Sequence, residues 1–425
     1  MKKVKIGVFG AGRGSSMVKY CRMADNAELV AICDKWEEAL NAHKEAWQDE
    51  NITYYTNFED FIKHDMDAVV LSNYAHEHAP FAMKAIKAGK HVFSEVLAAK
   101  DMKEAIELIE TVESHDRIYA YGENYCYMHA AWEMKKIYEQ GEIGELEYAE
   151  CEYIHNCESI WPALTYGDPN HWRNNMSSFG YCTHSIGPIV HATKLRPVSV
   201  TGLEPNYSAR RSTMGNKGGE YGIEMLRMEN GAIVKSIHGG LYKDSIWFSM
   251  YGRKGRVESG RHDPNVGEKD VIFSGLDKVY VNVDSYAGEY AEENIRAYEP
   301  HREFDHLADA LSHAGSDFYS MWHFVEKILG NPDADIVDVY EAMDMTLPGI
   351  FAHKSAQAGG IPMEIPDLRK TEERERWRND TTSSFPEHAG DMYLSPEPLG
   401  SDPIPDEVYE QVRANWNRKL RYNLK

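Results

Sequence analysis

Three glycines follow directly on a short apolar run, Ile6–Phe9, in the order Gly10-Ala11-Gly12-Arg13-Gly14-Ser15-Ser16, and a second apolar run, Leu29–Cys33, ends in Asp34. This spacing suits the diphosphate of a dinucleotide. Gly10 permits a tight turn, Gly12 lets a pyrophosphate approach the backbone, and N–H groups at the start of a helix near Ser15 meet its charge. Asp34 lies 22 residues beyond Gly12, where a carboxylate accepts hydrogen bonds from an adenosine ribose. A free 2′-hydroxyl fits that carboxylate and a 2′-phosphate is repelled by it, so the expected cofactor is NAD. Ser15 stands where the G-x-G-x-x-G pattern has its third glycine. The reading places Gly10, Gly12, Arg13, Gly14, Ser15 and Asp34 at the cofactor.

A second set of residues has acid–base character. Tyr153 and His155 fall on one face of an alternating strand by period two, so both can address the same ligand. His184 follows Tyr181 and Thr183 and precedes Gly187-Pro188, which reads as a helix start. Imidazole and buried phenol can be tuned towards neutrality and so can move protons at ordinary pH.

The elements that must position these groups change character along the chain. Up to residue 125, short apolar strands at 4–9, 29–33, 53–55, 68–72, 91–94 and 118–121 alternate with amphipathic helices such as Ala79–Ala88 and Met102–His115. That is the pattern of a Rossmann doubly wound parallel sheet. Ligands sit at the carboxyl ends of such strands, so Asn73, Tyr74, His76 and His78, just after 68–72, are expected to face the cofactor. His76 and His78 flank Glu77, yet no second cluster has zinc-like spacing, and no metal is expected. From 126 to 362 a helix near 130–140 leads into strands near 145–157, 198–205, 221–229, 232–239 and 245–252, with Asn230-Gly231 as a hairpin turn. Helices are expected at 301–313, 318–329 and 337–357. This reads as an α+β substrate and oligomerisation domain built on a largely antiparallel open sheet. The tail, 363–425, is rich in proline, serine and charge and is expected to wrap the surface or a partner subunit.

A chain of 425 residues exceeds one ordinary core, which agrees with two domains. Its 68 acidic against 46 basic residues give a net charge of −22, unsuited to nucleic acid or an anionic membrane. Six cysteines without C-x-x-C spacing read as reduced thiols, and no apolar run approaches the ~18 residues of a membrane span, so a cytoplasmic location is expected; the acidic surface and a sheet face that could pair with another subunit suggest a homo-oligomer, dimer or tetramer.

With Gly89-Lys90-His91-Val92-Phe93-Ser94-Glu95 after the fourth helix, the order of elements resembles the glucose–fructose oxidoreductase / inositol dehydrogenase / MocA (Gfo/Idh/MocA) family over residues 1 to about 362. Members typically carry Glu-Lys-Pro at this point; here the chain reads Glu95-Val96-Leu97, without the lysine. A narrower resemblance accounts for the change. Glu123–Tyr127, Gly141–Leu146, Ala149–Asn156 and Gly180–Pro188 are similar, in order, to blocks of NAD-dependent glycosidases of glycoside hydrolase family 109, which also have Glu-Val there. The resemblance implies a tightly bound, recycled NAD and a sugar or glycoside substrate, oxidised transiently at carbon 3, with elimination across carbons 2 and 1, water addition and re-reduction. It makes His184 the first candidate base, Tyr153 an acid/base and His155 a second polar contact, and it suggests Tyr242 as a further active-site tyrosine. Glu95, Asn124 and Tyr74 would line the nicotinamide ribose, with Trp172, Arg173 and Tyr181 near the cofactor. A sugar or glycoside 3-dehydrogenase that releases the keto product is the alternative, and a non-catalytic NAD-binding regulator a third reading.

Overall fold

The structure, a computed structural model, describes residues 2–205, 208–261, 273, 275–283, 295–397 and 403–419. Two compact units form, one from Met1–Asn124 with Glu303–Met343 and the other from Tyr125–Arg302 with Asp344–Leu420.

In the first unit, β1 (Val4–Phe9), β2 (Ala27–Cys33), β3 (Thr53–Tyr55), β4 (Ala68–Leu71), β5 (His91–Ser94) and β6 (Tyr119–Tyr121) form a parallel sheet in the order β3-β2-β1-β4-β5-β6. The strands read as continuous apolar runs because helices cover both faces, and Ala68–Leu71 is buried at every position. Residues 303–343, expected in the second domain, pack in this first unit. Helix Ser316–Leu329 lays Phe318 against Tyr20 of helix Ser15–Met23 (ring centroids 5.2 Å) and Phe324 against Phe93 of β5 (5.6 Å). Amphipathic periodicity shows that a helix has a buried face and not which surface covers it. The helix expected at 301–313 shrinks to Asp305–Ala308, and the chain then turns through His313, Ala314 and Gly315 at positive φ.

The second unit carries a nine-stranded sheet. To β7 (Leu146–Ile154), β8 (Pro197–Leu203), β9 (Tyr221–Met228), β10 (Ile233–Gly239) and β11 (Ser245–Gly252), close to expectation, it adds β12 (Gly255–Ser259), β13 (Val279–Val283), β14 (Ile295–Tyr298) and a short β15 (Met363–Glu364). The order is β14-β13-β12-β11-β7-β10-β9-β8-β15, antiparallel except where β10 pairs with β7. Gly231 at φ +92° closes the β9–β10 hairpin, and Asn230 Oδ1 accepts from Ala232 N–H at 3.0 Å.

Helix Thr183–Thr193 lies on one face of this sheet, against β7, β10 and β11. The helix begins at Thr183, so Gly187-Pro188 stands inside it and is not its start; Pro188 supplies no N–H to the His184 carbonyl. The tail returns to its own unit. Met363 and Glu364 pair with Val200 and Ser199 of β8, and on helix Asp406–Lys419 the Tyr409 hydroxyl donates to the Gly215 carbonyl at 3.0 Å. Tail positions 398–402 and 420–425 lie outside the described residues. Among the described residues no helix is long and apolar enough to cross a membrane, and the six cysteines are unbridged.

Candidate active site

β1 delivers Gly10 at φ +101°, where a Cβ would lie 2.4–2.5 Å from the backbone of Ser72 and Asn73 at the end of β4. Only glycine lets the loop pass there. A Cβ on Gly14 would meet the Gly10 carbonyl oxygen at 2.4 Å, so Gly14 provides the close packing that a third glycine gives one position later in the usual pattern. Helix Ser15–Met23 then begins with no side-chain cap and no acidic residue in its first turn, which leaves N–H groups for an anion. Asp34, at the end of β2, accepts from Ala11 N–H at 2.7 Å and from Trp36 N–H at 2.9 Å. A glycine cradle, an uncapped helix start and a carboxylate fixed against the loop together fit the diphosphate and ribose of a dinucleotide.

Arg13 turns from this loop into a buried ionic cluster. Its guanidinium donates to both oxygens of Asp317 at 2.8 and 2.9 Å and lies 2.8 Å from Glu95, while Asn124 Nδ2 donates to Asp317 at 2.9 Å and His313 Nδ1 stands 3.2 Å away. Burial raises the Glu95 pKa to about 7, opposed by Arg13 and helped by Asp317 and Glu123. Burial would also raise Asp317, but Arg13 and His313 outweigh it and hold the group well below the usual carboxylate range. The next lysine after the missing family position, Lys100, is buried and paired with Glu104.

Elsewhere on this unit, Tyr74 stacks on His76 with centroids 6.2 Å apart and Lys35 lies 4.2 Å over its ring. Asn73 Nδ2 reaches Glu77 at 3.5 Å. His78 points inward, its ring nitrogens 3.2 Å from the Leu97 carbonyl and 3.3 Å from that of Asn73, and burial lowers its pKa to about 4. Its ring is used within the fold.

On the second unit, β7 and the first turn of helix Thr183–Thr193 bring three of the expected residues together. The His184 ring lies 4.7 Å from Tyr153 and is stacked on Tyr181 at 5.3 Å with 4° between planes, and the Tyr153 hydroxyl stands 3.3 Å from His155 Nδ1. Tyr125 closes the group at 4.6 Å from His184 and edge-on to Tyr153 at 5.2 Å. Arg173 spreads over Trp172 at 4.4 Å and Tyr181 at 5.4 Å. Tyr242 is 66% exposed on the loop after β10, with its carbonyl accepting from Asn156, and makes no described contact with this group.

Beneath the cluster the sheet face is polar. By period two, Cys151 and Tyr153 of β7, Ser236 and His238 of β10 and Glu224 of β9 share the face that helix Thr183–Thr193 covers. Ser236 and Ser185 hydroxyls meet at 2.6 Å, and His238 Nδ1 lies 3.4 Å from Ser236 Oγ. Glu224 and His238 are wholly buried. Burial raises Glu224 to about 8 against a hydrogen bond to Cys182, and burial, helped by the neighbouring His184, lowers His238 to about 3. Both are therefore neutral at pH 7, and His184 rests on an uncharged polar layer.

Sequence reasoning did not find Tyr125, Glu224, His238 or Asp317 as site residues. Glu224 carried a usable signal, a carboxylate at an inward position of the alternating run Ile223–Met228. Asp317 had none, because its partner Arg13 is 304 positions away.

Comparison with known proteins finds two family domains along the chain. The family described as oxidoreductase, NAD-binding Rossmann fold (Gfo/Idh/MocA) matches residues 4–123, and the glycosyl hydrolase 109 C-terminal domain matches residues 258–377. A glycosyl hydrolase family 109 protein of Solibacter usitatus is 24% identical over 402 residues, which cover 86% of this chain and 88% of that protein. In fold, the chain is similar to an oxidoreductase of Agrobacterium radiobacter (TM-score 0.69, 15% identity, 86% of this chain and 99% of that one). It is also similar to myo-inositol 2-dehydrogenase of Lactobacillus plantarum (TM-score 0.62, 22% identity, 86% and 100%). The chain thus carries an NAD-binding Rossmann domain of the Gfo/Idh/MocA kind and a glycosyl hydrolase 109 C-terminal domain, the make-up of an enzyme of the Gfo/Idh/MocA or glycosyl hydrolase 109 type.

Proposed function

We propose that this enzyme is an NAD-dependent glycosidase that cleaves a glycosidic bond through transient oxidation of sugar carbon 3. The observation that carries the reading is the Tyr153–His155–His184 group, three proton-transfer side chains gathered where the chain resembles family 109 glycosidases. Bound NAD would supply reversible hydride exchange at carbon 3; the glycine loop Gly10–Gly14 and the start of helix Ser15–Met23 would hold its diphosphate, and Asp34 its ribose. His184 accepts the proton of the carbon-3 hydroxyl or of carbon 2, made acidic once carbon 3 is a ketone. Stacking on Tyr181 and contact with Tyr125 fix the orientation of its ring. Tyr153, hydrogen-bonded to His155, protonates the departing glycosidic oxygen and takes a proton from the water that adds in its place. The missing family lysine agrees with these groups doing the proton work.

Incubation with nitrophenyl glycosides of both anomers, following nitrophenol and NADH absorbance together, tests this. Aglycone release over many turnovers without net NADH supports the proposal. One NADH formed per glycoside, with the aglycone still attached, identifies a glycoside 3-dehydrogenase instead.

A further inference from the structure

Arg210 and Arg211 are neighbours with opposite fates. Arg210 bonds Glu220 at 2.8 Å and Glu158 at 3.0 Å, whereas the Arg211 guanidinium has no carboxylate partner among the described residues and its Nε is buried without a hydrogen bond. Arg13, by contrast, takes Asp317 and Glu95, and Arg374 donates to the Leu368 carbonyl. A chain with 22 more acidic than basic residues has carboxylates to spare. An unmatched, desolvated cation costs stability and is retained where something else supplies the negative charge.

Arg211 also stands beside the acid–base group. A Cβ on Gly240 would lie 2.6 Å from Arg211 Nη1 and 3.4 Å from the His155 carbonyl oxygen, so glycine is what lets the guanidinium lie against the backbone beside His155. The Trp161 ring packs against it, 5.2 Å from the guanidinium carbon. Cys157 is near both: burial disfavours its thiolate, but a hydrogen bond to His155 and its interactions with His155, Arg173 and Arg211 prevail and lower its pKa. One thiol does not balance two guanidinium groups, and Arg173 likewise has no ion pair among the described residues.

We propose that Arg211 recognises an oxyanion substituent, a carboxylate or a sulfate or phosphate ester, on the sugar whose glycosidic bond the Tyr153–His155–His184 group addresses. The inference rests on the proposed function for its substrate and adds the substrate's charge. A planar guanidinium with no carboxylate partner among the described residues matches any of these oxyanions in two-point fashion.

The test is calorimetric titration of the full chain with NAD present, using methyl glucuronide, methyl glucoside 6-sulfate, methyl glucoside 6-phosphate and neutral methyl glucoside, with a galacto series alongside. At least one anionic member is expected to bind about tenfold or more tightly than its neutral parent, with a preference that shrinks as salt is raised. Which member wins identifies the oxyanion. Arg211→Gln is expected to abolish most of that preference without lowering the melting temperature, since it removes an unmatched charge. Should that variant misfold, Arg211→Lys, which keeps the charge and loses the fork, is expected to retain part of the preference. Equal binding of neutral and anionic glycosides by the wild type, or an undiminished preference in Arg211→Gln, overturns the proposal. The two readings fail separately. Anionic selectivity without aglycone release sinks the glycosidase and leaves this inference standing, whereas release from neutral glycosides alone does the reverse.

Discussion

His184 occupies the first turn of its helix, pressed between Tyr181, Tyr153 and Tyr125, and it rests on a layer that is uncharged at pH 7. His184→Ala is expected to cut turnover by about 10²–10⁴-fold, the usual worth of a general acid–base group, while leaving NAD binding intact. Steady-state kinetics with a cofactor titration checks both; unchanged turnover contradicts the assignment. The layer below has its own pH signature. Glu224 has a folded pKa near 8 against 4.5, so its contribution to stability is complete below 4.5 and is lost as pH rises towards 8. His238 works in the other direction: with a folded pKa near 3 against 6.5, its contribution is present above 6.5 and lost as pH falls towards 3. The two slopes oppose each other between 4.5 and 6.5, and Glu224 acts alone from 6.5 to 8. Glu224→Gln is therefore expected to flatten that upper window, where the wild type loses at most about 1.4 kcal/mol per pH unit, and to be the more stable protein at pH 8. Denaturant titrations at pH 6.5 and 8 measure it. Tyr153 and His155 were legible from strand alternation; Tyr125 was not, because its place depends on where the helix and β7 cross.

At the scale of elements, the glycine loop and helix Ser316–Leu329 are tied by one ion pair, Arg13 to Asp317. Asp317→Asn keeps the shape and removes this ion pair, leaving Arg13 with Glu95 alone. Breaking a wholly buried pair costs about 3–5 kcal/mol, and the partial exposure of Arg13 reduces that to about 2–3 kcal/mol. Because the pair fixes the loop, NAD affinity is expected to fall with it, and cofactor titration beside thermal melts should show both losses; a melt shift with unaltered NAD affinity would separate the helix from the loop. Gly10→Ala is a sharper test of the cradle, since its Cβ has no space and φ is +101°. NAD binding should disappear, and retained binding would place the cofactor elsewhere. The glycine loop was legible because its signal is local: three glycines, a strand before and an acid after. The destination of residues 303–343 was not, since periodicity carries no address. Strands β13 and β14 escaped notice for a similar reason, being five and four residues long with no strong turn signal between them.

For the whole molecule, the two-part division at residue 125 was readable from the switch between alternating helices and strands and a run of strands with hairpin turns, whereas the return of the chain to its first unit was not. The tail was readable as a surface wrap ending in an amphipathic piece near 406–420, and not in what it covers. Its helix Asp406–Lys419 buries Tyr409 and Val412, and Tyr166 packs against Trp416 at 5.1 Å, so deleting residues 398–425 is expected to lower the first thermal transition by several degrees. An unchanged melt would make the tail an accessory. The proposed function makes one chemical commitment, that cleavage passes through loss and return of the proton on carbon 2. Hydrolysis in deuterium oxide with mass analysis of the released sugar reads that commitment directly. One deuterium on carbon 2 in each sugar released, with no net NADH, is the expected result; released sugar that keeps its original hydrogen at carbon 2 would contradict the transient-oxidation mechanism.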